Sequence, residues 1–163
     1  GYRDGVSRIL LDDCDLMINV ARLRPDPRFG MCGAVANLLA CLPPEDRAAA
    51  LQDATQLANA PAQPVVRVKA KLHILDACQP NYDFGPLDMP PYWDCGRLLF
   101  SRDPVALDCA GAAILEAKRQ EVKGAPWPLD AQPDYLQIAD SQYRLGHSDP
   151  DRFLVVESDM ESK

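Results

Sequence analysis

The sequence predicts an α/β domain, with helices packed on a largely parallel or mixed sheet. Three observations lead there. Short apolar runs of strand length alternate with longer Ala- and Leu-rich segments of helix length. The strand-like runs are apolar throughout, the pattern of strands in helix-covered sheets. Fifteen prolines in 163 residues punctuate the chain and set its elements apart. One domain over residues 1–163 is expected, because the length suits a single core and no repeat or low-complexity tract divides it.

The elements follow in order. Residues 7–11 are apolar enough for a short strand or a helix end, and Asp12-Asp13-Cys14-Asp15 is a polar turn. Leu16-Met17-Ile18-Asn19-Val20 is short, apolar and in part β-branched, as a buried strand is. Residues 22–30 form a loop broken by Pro25, Pro27 and Gly30. Residues 31–42 read as a helix that Pro43-Pro44 ends. Pro44 suits the first position of a second helix to about residue 58, with Glu45 and Asp46 at its positive end. Pro61 and Pro64 stop that helix. Residues 72–75 form a strand ending at Asp76, and residues 97–100 form another.

Between those strands, residues 79–94 hold four prolines, four aromatics and three aspartates. A connection of that length is a lid, a binding loop or a mobile segment. The next helix has the clearest signals. Asp103 is a good N-cap, Pro104 suits the first turn, and Gly124 suits the stop after Lys118, Arg119 and Lys123. Ala106, Cys109, Ala110 and Ala113 are expected as its close-packing face, with Leu107, Gly111 and Ile114 beside it. A helix after Pro133 carries Leu136, Ala139 and Tyr143 and ends near Gly146. Phe153-Leu154-Val155-Val156 reads as a last strand.

Composition narrows the function. A net charge of −7 argues against a nucleic-acid partner held through phosphates and against docking on an anionic membrane. No apolar run approaches the roughly 18 residues of a membrane helix, so no membrane insertion is expected. The first residues do not resemble a signal peptide. A cytoplasmic protein and an exported one with its signal removed both stay open. The six cysteines include no C-x-x-C pair, so an iron–sulfur site is not expected. Cys32, Cys41 and Cys109 read as buried, inert thiols. Cys14, Cys78 and Cys95 lie at strand or loop edges, where a disulfide would suit an exported protein.

In open α/β sheets, sites lie at the carboxyl ends of strands. That rule points to residues 19–26, 76–94 and 101–108. Asp76, Asp103 and Asp108 could bind a hard cation or tune one another for acid–base work. Against that, Asp103 suits a helix cap and Asp108 a bond to nearby backbone. Arg22, Arg24 and Arg28, with Asn19 and Asn37, could clamp an anion. The candidate ligand-binding set is therefore Asn19, Arg22, Arg24, Asn37, Asp76 and Asp108. No catalytic residue, cofactor or metal ligand is assigned. His73 reads as a packed strand residue, and His147 follows a helix stop. Neither has a partner at zinc-ligand spacing. Tyr82, Phe84, Tyr92 and Trp93 either close over a ligand or fold back on the domain.

Several motifs, in this order, resemble the domain-of-unknown-function 362 family. They are Leu16 to Arg24, Ala34-Val35-Ala36-Asn37-Leu38, Ile74-Leu75-Asp76-Ala77, Gly85-Pro86, Asp103 to Asp108, Tyr135-Leu136 to Leu145-Gly146, and Asp149-Pro150-Asp151. The sharpest is Asp103-Pro104-Val105-Ala106-Leu107-Asp108, within the anchoring segment Ser101 to Ala110. The resemblance implies that the chain is the C-terminal part of a longer family-type domain. The upstream half and the ferredoxin-like module of some members are not visible. It implies fold more strongly than chemistry. Two departures bear on function. Arg24-Pro25-Asp26 stands where the family has Lys-x-His, and Ala36 stands where it has a Lys before the helix Asn. Two readings stand. One is an enzyme-like or ligand-binding domain for a small anion or a divalent cation. The other is a non-catalytic subunit or interaction protein with a degenerate site.

Overall fold

The computed structural model describes residues 1–83 and 91–158. The fold is α/β around a mixed sheet of three strands, ordered β3-β6-β7. Two short strands precede it, β1 (Tyr2–Arg3) and β2 (Val6–Ser7), paired antiparallel. Strand β3 (Met17–Arg22) runs parallel to β6 (Ala70–Ala77), which pairs antiparallel with β7 (Arg97–Ser101). The register sets Val20 beside Ile74 and Ile74 beside Phe100.

Side chains alternate across that sheet. Ala21, Leu75, Ala77 and Leu99 point into the core under α5 (Pro104–Lys123). Ile18, Val20, Leu98 and Phe100 point the other way, and Val20 and Phe100 are each 60% exposed. Apolar residues on both faces hide the two-residue period in the sequence.

Helix α5 begins as its sequence predicts. Asp103 accepts from the Val105 and Ala106 amides, Pro104 sits in the first turn, and Gly124 stops the helix at φ +68°. Its buried stripe overlaps the expected small-residue face only in part, since Ala106 is buried and Cys109 and Ala110 are half-buried. Leu107, Gly111, Leu115 and Arg119 are buried at four-residue spacing, whereas Ala113 is exposed. At Gly111 a Cβ would come 2.7 Å from Leu75 Cδ2, so glycine lets the helix lie close on β6.

Elsewhere the chain departs from the sequence reading. Residues 22–30 are not a plain loop. Strand β4 (Arg24–Asp26) pairs antiparallel with β5 (Gly30–Cys32), because Gly30 takes φ +76° and closes the hairpin. Met31 and Cys32 therefore belong to a strand, and helix α1 covers only Ala34–Asn37, with a tighter turn to Cys41. The single helix expected from Pro44 is two, α2 (Pro44–Ala50) and α3 (Ala54–Asn59). Asp53 restarts the second by accepting from the Gln56 amide.

Pro64 starts rather than stops a helix, α4 (Pro64–Lys69). At its end Lys69 Nζ donates to the carbonyls of Leu10, Leu11 and Cys14, around the single wide helical turn Ile9–Asp13. Helix α6 (Asp134–Ser141) packs its Tyr135, Leu136 and Ala139 into the core. The expected last strand does not form. Residues 153–156 join no ladder, and Leu154 is 85% exposed; apolar composition gives a strand no hydrogen-bonding partner. Among the described residues no helix is long and apolar enough to cross a membrane. Phe84 and the Gly85-Pro86 step lie outside the described residues.

The segment after α5 is held by one buried cation. Arg119 is fully buried, bonds both oxygens of Asp130 at 3.1 and 3.2 Å, and stacks 4.4 Å from the Trp127 ring. A lysine can supply neither the fork nor the flat stack. Arg119→Lys is expected to lower the unfolding free energy by about 1–3 kcal/mol in urea titration. A loss below about 0.5 kcal/mol would contradict this role.

Candidate functional site

The first turn of α1 lacks a cap of its own, since Gly33 precedes it. A residue 75 positions further along supplies one. Asp108, fully buried on α5, accepts from the Ala34 amide at 2.6 Å and from the Val35 amide at 2.9 Å. This is N-capping from another helix, and it ties α5 to α1. Gly33 makes room for it, because a Cβ there would collide with Asp108 Oδ1. Burial pushes the Asp108 carboxyl up to about 7, against the pull of the Val35 and Ala34 amides and of Tyr135.

Helix α1 is tied to β3 by a second buried contact. Asn19 accepts from Asn37 Nδ2 at 2.7 Å through its Oδ1. Its Nδ2 donates to the Ala34 carbonyl at 2.9 Å and faces His73 Nδ1 at 3.0 Å. The amide orientation makes His73 Nδ1 an acceptor, so the neutral ring carries its proton on Nε2. Burial holds the His73 pKa below its ordinary value, with Asp103 pulling the other way. Asn37 also donates to the Val20 carbonyl at 3.0 Å.

These ties place an open cleft of about 620 Å³ at the carboxyl end of β3. Arg22, Arg24, Asn37, Arg47, Asn81 and Tyr92 supply its polar and aromatic lining. Among the described residues, no Asp or Glu lines it. Arg22 donates to the Gln79 carbonyl at 3.0 Å and lies over the Tyr92 ring at 5.3 Å. Arg47 donates to the Leu42 carbonyl at 2.9 Å and to the Tyr2 hydroxyl at 2.6 Å. The Arg24 guanidinium has no hydrogen-bond or ion-pair partner among the described residues. Burial raises the Cys32 thiol at the cleft wall to about 12, with Asp26 adding to it, so it stays protonated at neutral pH.

The six candidate residues thus divide. Arg22, Arg24 and Asn37 line the cleft; Asn19 and Asp108 are buried behind it and position α1. Asp76 accepts from the Cys78 amide at 2.9 Å at the end of β6, and that bond first of all holds its pKa below the ordinary value. Asp76, Asp103 and Asp108 do not form one carboxylate cluster, because each is bound to a different stretch of backbone. Among the described residues no three His, Cys, Asp or Glu side chains gather as around a metal. Arg28 turns away, donating to the Leu51 carbonyl and pairing with Asp26 at 3.5 Å. Asp26 is itself consumed by the amides of Arg28 and Phe29.

Ala36 and Arg24, two of the positions that depart from the family pattern, both border the cleft. Sequence reasoning missed Arg47 and Asn81. Nothing local marks Arg47 on α2, and Asn81 comes into place through its bridge to Tyr92. All six cysteines are free thiols.

The raised Asp108 pKa has a direction on stability. A carboxyl that titrates higher when folded contributes stability fully below about pH 4, and that contribution is lost as pH rises through about 7. The unfolding free energy is expected to fall over that window. Asp108→Asn, whose amide must face one of two N–H donors, is expected to cost about 1–3 kcal/mol at pH 5 and to flatten the slope. An unchanged slope in the variant would contradict the assignment.

The family model described as a domain of unknown function, DUF362, matches residues 6–113. No curated protein and no solved structure matches the chain. The matched stretch holds β3, the β4–β5 hairpin, α1, β6, β7 and the first half of α5, and with them every residue of the cleft. The chain belongs to the DUF362 family.

Proposed function

We propose that the cleft binds a small anionic ligand, with Arg24, Arg22 and Arg47 holding its charge and Asn37 and Asn81 orienting it. One observation carries this reading. In a chain with 24 acidic and 17 basic residues, three arginines surround one opening and none is paired with a carboxylate there. Arg3, Arg8, Arg97 and Arg152, by contrast, each have an acidic neighbour. Arg24 has none, and its flat fork suits a carboxylate or phosphate. Of the departures from the family pattern, Arg24 keeps a cation where the family has Lys, whereas Ala36 and Asp26 each stand where the family has a basic residue. The reading is of binding, because the lining supplies donors and charge rather than a base near neutrality.

The alternative reading, a non-catalytic interaction protein, is favoured by the bare sheet face. Ile18, Val20, Leu98 and Phe100 form an apolar surface of the kind that marks protein contacts.

Isothermal titration with inorganic phosphate and with citrate tests the anion reading. Saturable binding that weakens with salt is expected, and Arg24→Glu is expected to weaken it by about tenfold or more while leaving the fold intact. Equal affinity in the folded variant, or no saturable binding by either probe, would sink the anion reading and leave the interaction one.

A further inference from the structure

A second depression, of about 570 Å³, lies between the start of α5 and the turn after α6. Arg102, Asp103, Asp140, Arg144, His147 and Arg152 line it. It shares no lining residue with the cleft above, and its turn lies beyond residue 113, where the family match ends.

The turn is pinned from several sides. The Arg144 amide donates to the Asp140 carbonyl at 3.0 Å, and the Leu145 amide to the Ala139 carbonyl at 3.0 Å. Arg67 donates to the Arg144 carbonyl at 2.9 Å. Gly146 lies so close to Asp103 that a Cβ there would collide with its carboxylate. Arg144 sits at φ +52°, in the left-handed region that residues with side chains rarely adopt. That conformation is the common left-handed close of a helix, with the Arg144 amide on the Asp140 carbonyl.

Both carboxylates in the lining are occupied. Asp103 Oδ1 accepts from the Val105 and Ala106 amides, and its Oδ2 accepts from the His147 amide and faces His147 Nδ1, each at 2.9 Å. Asp140 Oδ2 accepts from the Ser148 amide and hydroxyl, both at 2.9 Å, and Arg152 stands 3.7 Å from its Oδ1. The side chains of Arg102 and Arg144 have no partner among the described residues. With Nδ1–H given to Asp103, His147 Nε2 is left open.

We propose that this depression is a second anion site, built for the phosphoryl group of a small phosphate monoester. Arg102 and Arg144 hold its oxygens, and Arg152 adds charge from the rim. Two guanidinium forks suit a tetrahedral phosphoryl group, whose three terminal oxygens can meet both.

The test is ¹H–¹⁵N NMR titration of the whole chain with inorganic phosphate, phenyl phosphate and, at matched ionic strength, acetate. Saturable shifts are expected in the amides of residues 144–148 and in the His147 ring, with both phosphates binding about tenfold or more tighter than acetate. Arg144→Gly suits the positive φ, so it keeps the native spectrum while affinity falls by about tenfold or more. Arg102→Gln has the same effect on a helix start that Asp103 still caps. Arg24→Glu leaves these shifts in place, which separates this site from the first cleft. Shifts that do not saturate, or full affinity in a folded Arg144→Gly or Arg102→Gln protein, would overturn the proposal. Binding of inorganic phosphate with phenyl phosphate shut out would overturn the monoester assignment.

Discussion

The buried contact between Asp108 and the first turn of α1 is the constraint on which the rest of this structure depends. It joins residues 74 apart in sequence and leaves both carboxylate oxygens bonded to main-chain amides. A helix of one turn cannot hold itself in water. Here α1 is held at its start by Asp108 and along its length by the Asn19–Asn37 pair. Gly33 belongs to the same device, because only a residue without a Cβ admits the carboxylate. The contact also carries a cost, visible in the raised pKa of Asp108: a buried carboxylate gives up its hydration and recovers part of it from three donors.

The arginine cleft follows from that placement. Helix α1 sets Ala36 and Asn37 on one wall. The end of β3 and the β4–β5 hairpin bring Arg22 and Arg24 to another, and α2 brings Arg47. The carboxylates near it are drawn away into turns. Asp26 closes the hairpin and Asp76 closes the end of β6, so neither lines the cleft, although Asp76 lies near enough to feel the charge of Arg22. The bare face of the sheet, with Ile18, Val20, Leu98 and Phe100, is a separate feature that shares no lining residue with the cleft.

The sequence was most legible where local chemistry decides structure. Asp103, Pro104 and Gly124 mark the bounds of α5 because caps and stops act over a few residues. The three sheet strands were found, one or two residues short at their ends, from their apolar runs. The β4–β5 hairpin was missed because Pro25 and Pro27 mask a turn that Gly30 actually closes. Residues 153–156 have strand composition but no neighbour to pair with, and composition cannot report that. For the site, Arg22 and Arg24 are legible as basic groups just after a strand, and Asn37 as a helix residue grouped with them. Asp108 reads in the sequence as a candidate ligand-binding residue or as a partner of neighbouring backbone; that it caps a helix distant in sequence is a tertiary fact. Arg47 gave no signal, because only the packing of α2 carries it to the cleft.

Amide hydrogen exchange at Ala34 and Val35 tests this account most directly. If Asp108 caps α1, both amides exchange as slowly as those of the central strand β6, and Asp108→Asn speeds them selectively while β6 stays protected. Fast exchange of Ala34 and Val35 in the unaltered protein, or protection there that Asp108→Asn does not change, would contradict it.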